Sequence, residues 1–289
     1  MVRDTPWDHI ARILIFYGCP LDTTPDVVFD YGYYVEGGGF CPKGLICMDI
    51  NGDGYDDLIV GGRKDTVYGY EYRTYVYLGG EDFDTIPDYV LMDYSPAYQQ
   101  GIANLGDVNG DGYDDLGIGN CYSEWFEGMV WIFFGGPSFD TIPDVILKGG
   151  HDGYGEKFGH SIAGGGDVNG DGYDDVVIGA PGYGPGIILT PGRIYVYFGG
   201  DPMDTVYDIA YSGERTLWLG EDPVMILKNK RGTSDVVFCD PRWPEPGPSR
   251  SRVYILFGTR RYGPKVYPAD SIPDMIIEGL TDTSGLGVS

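Results

Sequence analysis

Nine residues recur three times almost unchanged: DINGDGYDD from Asp49 to Asp57, DVNGDGYDD from Asp107 to Asp115, and DVNGDGYDD from Asp167 to Asp175. Their chemistry is that of a cation site. In the first copy Asp49, Asn51 and Asp53 occupy alternate positions, so a tightly curled loop can turn three side-chain oxygens toward one point. Asp57 can close the shell from the far side, and the carbonyl of Tyr55 is placed to add a fifth oxygen. Hard oxygens in this number suit Ca²⁺, which accepts roughly 6–8 ligands in irregular geometry, better than Mg²⁺, which demands an octahedron and keeps its waters. No His or Cys lies in the loop, which argues against zinc or copper. Gly52 and Gly54, without a Cβ, can take the left-handed backbone angles such a curl needs.

Alternating ligands also open an EF-hand, but that loop needs a bidentate Glu at its twelfth position and helices on both sides. Here the twelfth positions are Val60, Ile118 and Ile178, and the residues after each loop (DLIVGG, DLGIGN, DVVIGA) read as strands ending in glycine. A metal-free Asx-turn is the plainer alternative for any one copy. Three matched copies count against it, because a turn does not require repeated carboxylates.

The elements that position the loops repeat with them. Loop starts lie 58 and 60 residues apart, and each loop is followed by an aromatic run ending in Gly-Gly: RTYVYLGG from Arg73, GMVWIFFGG from Gly128, RIYVYFGG from Arg193. A third landmark follows, DTIPDYVL from Asp84, DTIPDVIL from Asp140 and DTVYDIAY from Asp204. One unit is thus a strand, the loop, a second strand, an aromatic strand, a turn and a short last strand. Four strands in one such unit cannot bury both faces alone, and radial stacking gives an all-β propeller of four-stranded antiparallel blades.

Residues 11–29 carry only the later landmarks, so the chain begins halfway through a unit, while residues 217–279 form a fourth unit with RVYILFGT from Arg252 and SIPDMII from Ser271. SGLGVS from Ser284 aligns with the start of another unit. The expected organisation is one domain over 1–289: a half blade at 1–39, cation-binding blades at 40–96, 97–155 and 156–213, a degenerate blade at 214–280, and the start of a next repeat at 281–289. Four full repeats and a half make about five blades, either an incomplete ring or a piece of a longer array, with unpaired edges open to self-association. In the fourth unit Leu227–Asp235 falls on the loop: Asn229 and Asp235 keep their places, but Leu227 and Arg231 replace carboxylates. No Ca²⁺ is expected there, with the cations of Lys230 and Arg231 taking its electrostatic role.

A formal net charge of −25 counts against nucleic acid as a partner. The excess is uneven, 35 acidic against 10 basic residues over 1–216 but nine of each over 217–289. Gly 48 and Tyr 25 fit tight turns joined by aromatic strands, without a helical apolar period. Five irregularly spaced cysteines, Cys19, Cys41, Cys47, Cys121 and Cys239, indicate neither a disulfide framework nor a metal knuckle. No apolar run approaches the ~20 residues of a membrane span, and the first residues lack the apolar core of a signal peptide.

Two Pro- and Gly-rich insertions, GYGPGIILTPG from Gly182 and DPRWPEPGPSRS from Asp240, read as loops rather than strands, with Trp243 a candidate contact residue. His9, His151 and His160 are the only histidines, and His160, at the start of a strand, reads as buried and structural. No Gly-x-Ser-x-Gly elbow, His-Glu-x-x-His or phosphate loop is present, so no catalytic residue is assigned. Alternating Tyr in YVYLGG and YVYFGG read as strand packing, which weakens a lectin reading.

The unit from Lys157 to Gly184, KFGHSIAGGGDVNGDGYDDVVIGAPGYG, resembles the FG-GAP repeat of integrin α-subunit propellers and their bacterial relatives, with Phe158-Gly159 and Gly179-Ala180-Pro181 as its signatures. The resemblance implies that the loop joins the first two strands of a blade and binds Ca²⁺ through side chains at positions one, three, five and nine and a backbone oxygen at seven. Carried over, the ligands are Asp49, Asn51, Asp53, Tyr55 and Asp57; Asp107, Asn109, Asp111, Tyr113 and Asp115; and Asp167, Asn169, Asp171, Tyr173 and Asp175, three Ca²⁺ sites in all. It further implies a non-catalytic extracellular or cell-surface module for binding, adhesion or assembly, with a protein or glycan ligand. The alternatives are a lectin-like propeller or the propeller of a secreted hydrolase or polysaccharide lyase.

Overall fold

The computed structural model describes residues 10–16, 24–33, 40–66, 69–81, 83–92, 101–123, 127–150, 155–184, 190–213, 218–222, 224–243, 250–259 and 274–278. Four four-stranded antiparallel sheets and one two-stranded sheet account for the strands. The two-stranded sheet pairs β1 (Ile10–Ile15) with β2 (Val27–Tyr33). The next joins β3 (Phe40–Met48), β4 (Asp57–Thr66), β5 (Gly69–Tyr77) and β6 (Tyr89–Met92) in sequence order. The third holds β7 (Ile102–Gly106), β8 (Asp115–Asn120), β9 (Met129–Phe133) and β10 (Val145–Lys148), and the fourth β11 (Ser161–Ala163), β12 (Val176–Ala180), β13 (Arg193–Tyr197) and β14 (Ile209–Ser212). The last holds β15 (Met225–Lys228), β16 (Ser234–Trp243), β17 (Arg250–Leu256) and β18 (Met275–Glu278). Each full sheet is a simple up-and-down meander, and the all-β, bladed architecture expected from the repeats is the one observed.

Hydrophobic cores lie between successive sheets. Phe29, Phe40, Leu58, Val60 and Tyr77 join the β1–β2 pair to the β3–β6 sheet. Ile50, Ile59, Leu116 and Phe133 belong to the next junction, Leu105, Val130, Phe158 and Ile178 to the third, and Val168, Val196, Leu219 and Phe238 to the fourth. A central strand is therefore covered on both faces: every residue of β8 and of β12 is buried. This is why the segments after the loops read as near-continuous apolar runs instead of alternating ones.

Glycine lets the sheets close on each other. A Cβ on Gly119 of β8 would lie 2.5 Å from the carbonyl oxygen of Gly159, and one on Gly179 of β12 would lie 2.5 Å from that of Gly220. The strand glycine of one repeat therefore packs against the left-handed glycine of the next, Gly159 at φ 79° and Gly220 at φ 89°. The tyrosines of the aromatic strands pack inward as expected, with Tyr77, Tyr195 and Tyr197 buried.

One sequence expectation is corrected. Residues from Asp240 were read as too rich in Pro and Gly for a strand, yet β16 runs through Trp243, which pairs with Arg250 across a register shift after Asp240. Among the described residues β15 pairs only with Ser234–Val237, so Pro241 lies beyond that ladder, where its missing N–H is not required. His9 and His151 lie outside the described residues.

Candidate cation-binding loops

All three nonapeptide loops join the first and second strands of a full sheet, and all three fold around one hydrogen-bond pattern. Asp49 Oδ1 accepts from the backbone N–H groups of Gly52 (2.8 Å) and Asp53 (3.0 Å), and its Oδ2 accepts from Gly54 (2.8 Å). Asn51 Oδ1 accepts from Asp53 N–H, Asn51 Nδ2 donates to Asp53 Oδ2, and Asp53 Oδ1 accepts from Tyr55 N–H. The second loop repeats this with Asp107, Asn109 and Asp111, except that Asp111 N–H bonds Asn109 Oδ1 and not Asp107. The third repeats it with Asp167, Asn169 and Asp171. Left-handed glycines at the fourth and sixth positions make the curl possible, with φ between 76° and 103° for Gly52, Gly54, Gly110, Gly112, Gly170 and Gly172.

The ninth residue has a different task. Asp57, Asp115 and Asp175 are fully buried. Asp57 Oδ2 accepts from Ile50 N–H (2.9 Å) and Oδ1 from Gly79 N–H (2.6 Å), so one carboxylate ties the loop to the end of the aromatic strand. Asp115 does the same for Val108 and Gly135, and Asp175 for Val168 and Gly199. Burial pushes these carboxyls upward, with Asp115 at about 7 and Asp175 at about 8; the two N–H donors pull down, and the neighbouring loop aspartates push up again. Asp57 moves in the same direction for the same reasons. A buried carboxylate beside two others is an environment that lacks positive charge.

The donor set of each loop, three carboxylates and an amide oxygen, has the chemistry of a Ca²⁺ site. Among the described residues, however, no three Asp, Glu, His or Cys side chains converge closely enough to hold a metal as they stand. Their oxygens face the loop's own N–H groups, and each carboxylate keeps further lone pairs for a cation.

The fourth loop keeps the clamp and changes the charge. Asp235 Oδ1 accepts from Gly258 N–H (3.0 Å), as its counterparts do, but also from Asn229 Nδ2 (2.7 Å) and Arg231 Nη2 (2.9 Å). The Arg231 guanidinium lies 4.5 Å from the Phe257 ring centre, which holds it over the loop. Lys230 is exposed and takes no part in this contact.

Adjacent loops touch, a feature the sequence reading missed because it gave the loop tyrosines only a backbone role. The ring of Tyr113 lies where a side chain on Gly52 would project (a Cβ there would be 2.1 Å from Tyr113 Cε1), and Tyr173 covers Gly110 in the same way at 2.5 Å. The carbonyls of Ile50, Val108 and Val168 accept from Gly136 (2.6 Å), Gly200 (2.8 Å) and Thr259 (2.9 Å) of the following repeat. A strict glycine at position four paired with Tyr at position seven of the next copy was the available signal.

A second polar cluster also escaped the sequence reading. Glu156, 1 % exposed, accepts a 2.8 Å bond from Tyr195 Oη, whose neighbour Arg193 bonds Ser212 Oγ and stacks 3.3 Å from the centre of Tyr183. Lys157 and Trp218, at φ 55° and 53°, form a cation–π contact of 5.4 Å beside it. His160 is buried nearby, and burial, followed by the charge of Lys157, lowers it to about 4, which leaves a neutral imidazole at neutral pH. Trp243, the other candidate contact residue, lies at the end of β16.

Residues 158–197 match the family described as FG-GAP repeat. That segment carries an FG-GAP repeat, and the chain is similar to integrin α-subunits. It is 37% identical to integrin alpha-5 of Xenopus laevis over 150 residues, 46% of this chain and 14% of that protein. Against integrin alpha-7 of Rattus norvegicus it is 32% identical over 164 residues, 54% of this chain and 14% of the relative. Against integrin alpha-6 of Homo sapiens it is 30% identical over 164 residues, again 54% and 14%. The chain thus spans about a seventh of the length of these relatives. Among solved structures, rhamnogalacturonan lyase YesW overlaps 76% of the chain and 47% of its own at TM-score 0.46 and 10% identity, too slight a likeness to carry an argument. No helix among the described residues is long and apolar enough to cross a membrane.

Proposed function

We propose that the chain is a non-catalytic propeller module stabilised by three Ca²⁺ ions, one in each of the loops 49–57, 107–115 and 167–175, with its blades divided as the repeats divide the sequence. The observation that carries this reading is the repeated loop geometry: three identical curls of acidic residues, each closed by a buried aspartate whose charge nothing in the loop neutralises. The fourth loop supports it by contrast, since an arginine stands beside the same aspartate.

The ligands are Asp49, Asn51, Asp53, Tyr55 and Asp57 with their counterparts, the tyrosines through their carbonyls. Ca²⁺ here holds each first hairpin in shape, and through the tyrosine and carbonyl contacts it steadies the next blade. Likeness to integrin α-subunits supports an extracellular or cell-surface setting and a role in adhesion or assembly through a protein partner. A buried, neutral His160 supports a structural reading over a catalytic one.

Thermal unfolding with and without chelator tests the proposal. A transition that falls by several degrees on chelation and returns with Ca²⁺ is expected, and an unchanged transition rejects it.

A further inference from the structure

A groove of about 910 Å³ lies between β1 and the first cation loop, lined by Leu14, Phe16, Leu45, Tyr55, Gly79 and Gly80 among others. Its meaning comes from comparison with the three junctions between full sheets. The residue paired with the twelfth position after each loop start is Leu45 in the first full repeat, Ile102 in the second and Ile162 in the third, opposite Val60, Ile118 and Ile178. Ile102 and Ile162 are each 6 % exposed under the preceding sheet, whereas Leu45 is 52 % exposed.

The polar contacts differ at the same place. Gly136, Gly200 and Thr259 each donate to the loop carbonyl of the preceding repeat; Gly80, the matching residue, donates to nothing among the described residues. A Cβ on Gly135, Gly199 or Gly258 would come within 2.9 Å of that preceding carbonyl, while the atoms nearest Gly79 all belong to its own loop. Tyr113 and Tyr173 lie on the preceding loop, but Tyr55 is exposed.

What occupies the outer half of this junction is β1 and β2, which pack through Ile13, Ile15 and Phe29 onto Leu58, Val60 and Tyr77. They stand where the third and fourth strands of a blade stand in the other sheets, and the inner edge of β1 is unpaired among the described strands.

We infer that the groove is a docking seat for a β-hairpin built like the first two strands of the repeat: two apolar strands joined by an acidic D-x-N-G-D-G-Y-D-D loop. Its second strand pairs with the free edge of β1, its first strand covers Leu45, and its loop carbonyl receives the N–H of Gly80 and its fourth-position glycine the ring of Tyr55. A whole blade does not fit, because its outer strands would meet β1 and β2. For the same reason a second copy of the chain, whose described full sheets all carry outer strands, is the wrong shape. Acidic loops already meet acidic neighbours at the filled junctions, where Asp174 N–H donates to the carbonyl of Asp107, so the pairing is compatible with the charge.

The test is a labelled peptide of residues 160–181, the first hairpin of the third repeat, titrated into the chain in calcium. Saturable binding at one peptide per chain with a higher melting temperature is expected. Leu45→Asp, at a half-exposed position and with its own unliganded melt as the reference, should weaken binding roughly tenfold or more by removing the apolar contact. Because isolated hairpins are marginally stable, the same segment is also joined to the chain by a flexible linker, where it should raise the melting temperature in the parent and not in Leu45→Asp. The inference fails if neither form binds or stabilises, or if Leu45→Asp changes nothing. It also fails if the chain alone dimerises through this groove and the peptide does not compete. Calcium uptake by the chain without peptide is measured in parallel, so loss of the cation reading is told apart from loss of the seat.

Discussion

Loops 49–57, 107–115 and 167–175 differ from 227–235, where Leu227 lies in β15 and pairs with Asp235, in a way that separates two functions a motif usually presents together. In all four, the ninth-position aspartate accepts a backbone N–H from the end of the aromatic strand: Gly79, Gly135, Gly199 or Gly258. In the first three that aspartate is accompanied only by carboxylates and an amide; in the fourth it meets Arg231. The ninth position is therefore a structural clamp in every full sheet, and the balancing charge is a separable part: the chain itself supplies it in the fourth, and by our proposal a cation from solvent supplies it in the other three. A guanidinium at 2.9 Å presents donors where a bound ion would present charge, which is how a blade can keep its shape with Leu227 and Arg231 in place of two carboxylates.

Removing the clamp gives the largest expected effect. Asp175→Ala leaves the N–H groups of Val168 and Gly199 without their acceptor in a buried setting and should destabilise the chain by about 3 kcal/mol or more, read by urea unfolding. An effect under 1 kcal/mol, on the order of an ordinary surface change, breaks the claim that this position is a clamp. Asp235→Ala sharpens the comparison: it should also destabilise, but equally with and without calcium.

Next comes contact between loops. Gly52→Ala places a Cβ into the Tyr113 ring and forces alanine to φ 76°, for a combined expected loss of roughly 2 kcal/mol. Tyr113→Ala should lose less stability but weaken calcium binding at 49–57 as well as at 107–115, measured by calorimetric titration of single-loop variants. If only its own loop responds, the loops are not coupled.

Acid sensitivity must be separated from the loops, and His160 allows it. Its folded-state value near 4 lies below the ordinary 6.5, so the unfolded chain binds the extra proton between those limits. Its contribution is complete above pH 6.5 and is lost as pH falls toward 4, up to about 3 kcal/mol. His160→Gln should flatten this part of the stability profile measured across pH 4 to 7, and an unchanged profile contradicts the assignment.

Arg231→Gln should have the smallest effect, about 1 kcal/mol or less, because the guanidinium is half exposed and screened. That loss should be insensitive to chelator, unlike the changes in loops one to three.

Much of this was legible in the sequence because the constraints are local. Alternating Asp and Asn with left-handed glycine fix the loop whatever surrounds it, and the β-rich residues after each loop, ending in glycine, signal a strand. Contacts between repeats were not legible in the same way. Tyr113 on Gly52 joins residues far apart in the chain, and only stacking of the sheets brings them together. The buried Glu156–Tyr195 pair gave no signal, since a lone Glu before Phe158 reads as an ordinary surface residue. The extension of β16 through Pro241 was missed because composition does not reveal that the neighbouring strand stops short.

The central claim is that three loops carry solvent cations and the fourth carries its own. Calcium stoichiometry at neutral pH, by equilibrium dialysis against the metal-free chain, tests it most directly. Three ions per chain are expected, falling to two in a variant with Asp107→Ala and Asp111→Ala, with Arg231→Gln leaving the number at three. Binding of none, or of a fourth ion at 227–235 in the unaltered chain, would contradict the account.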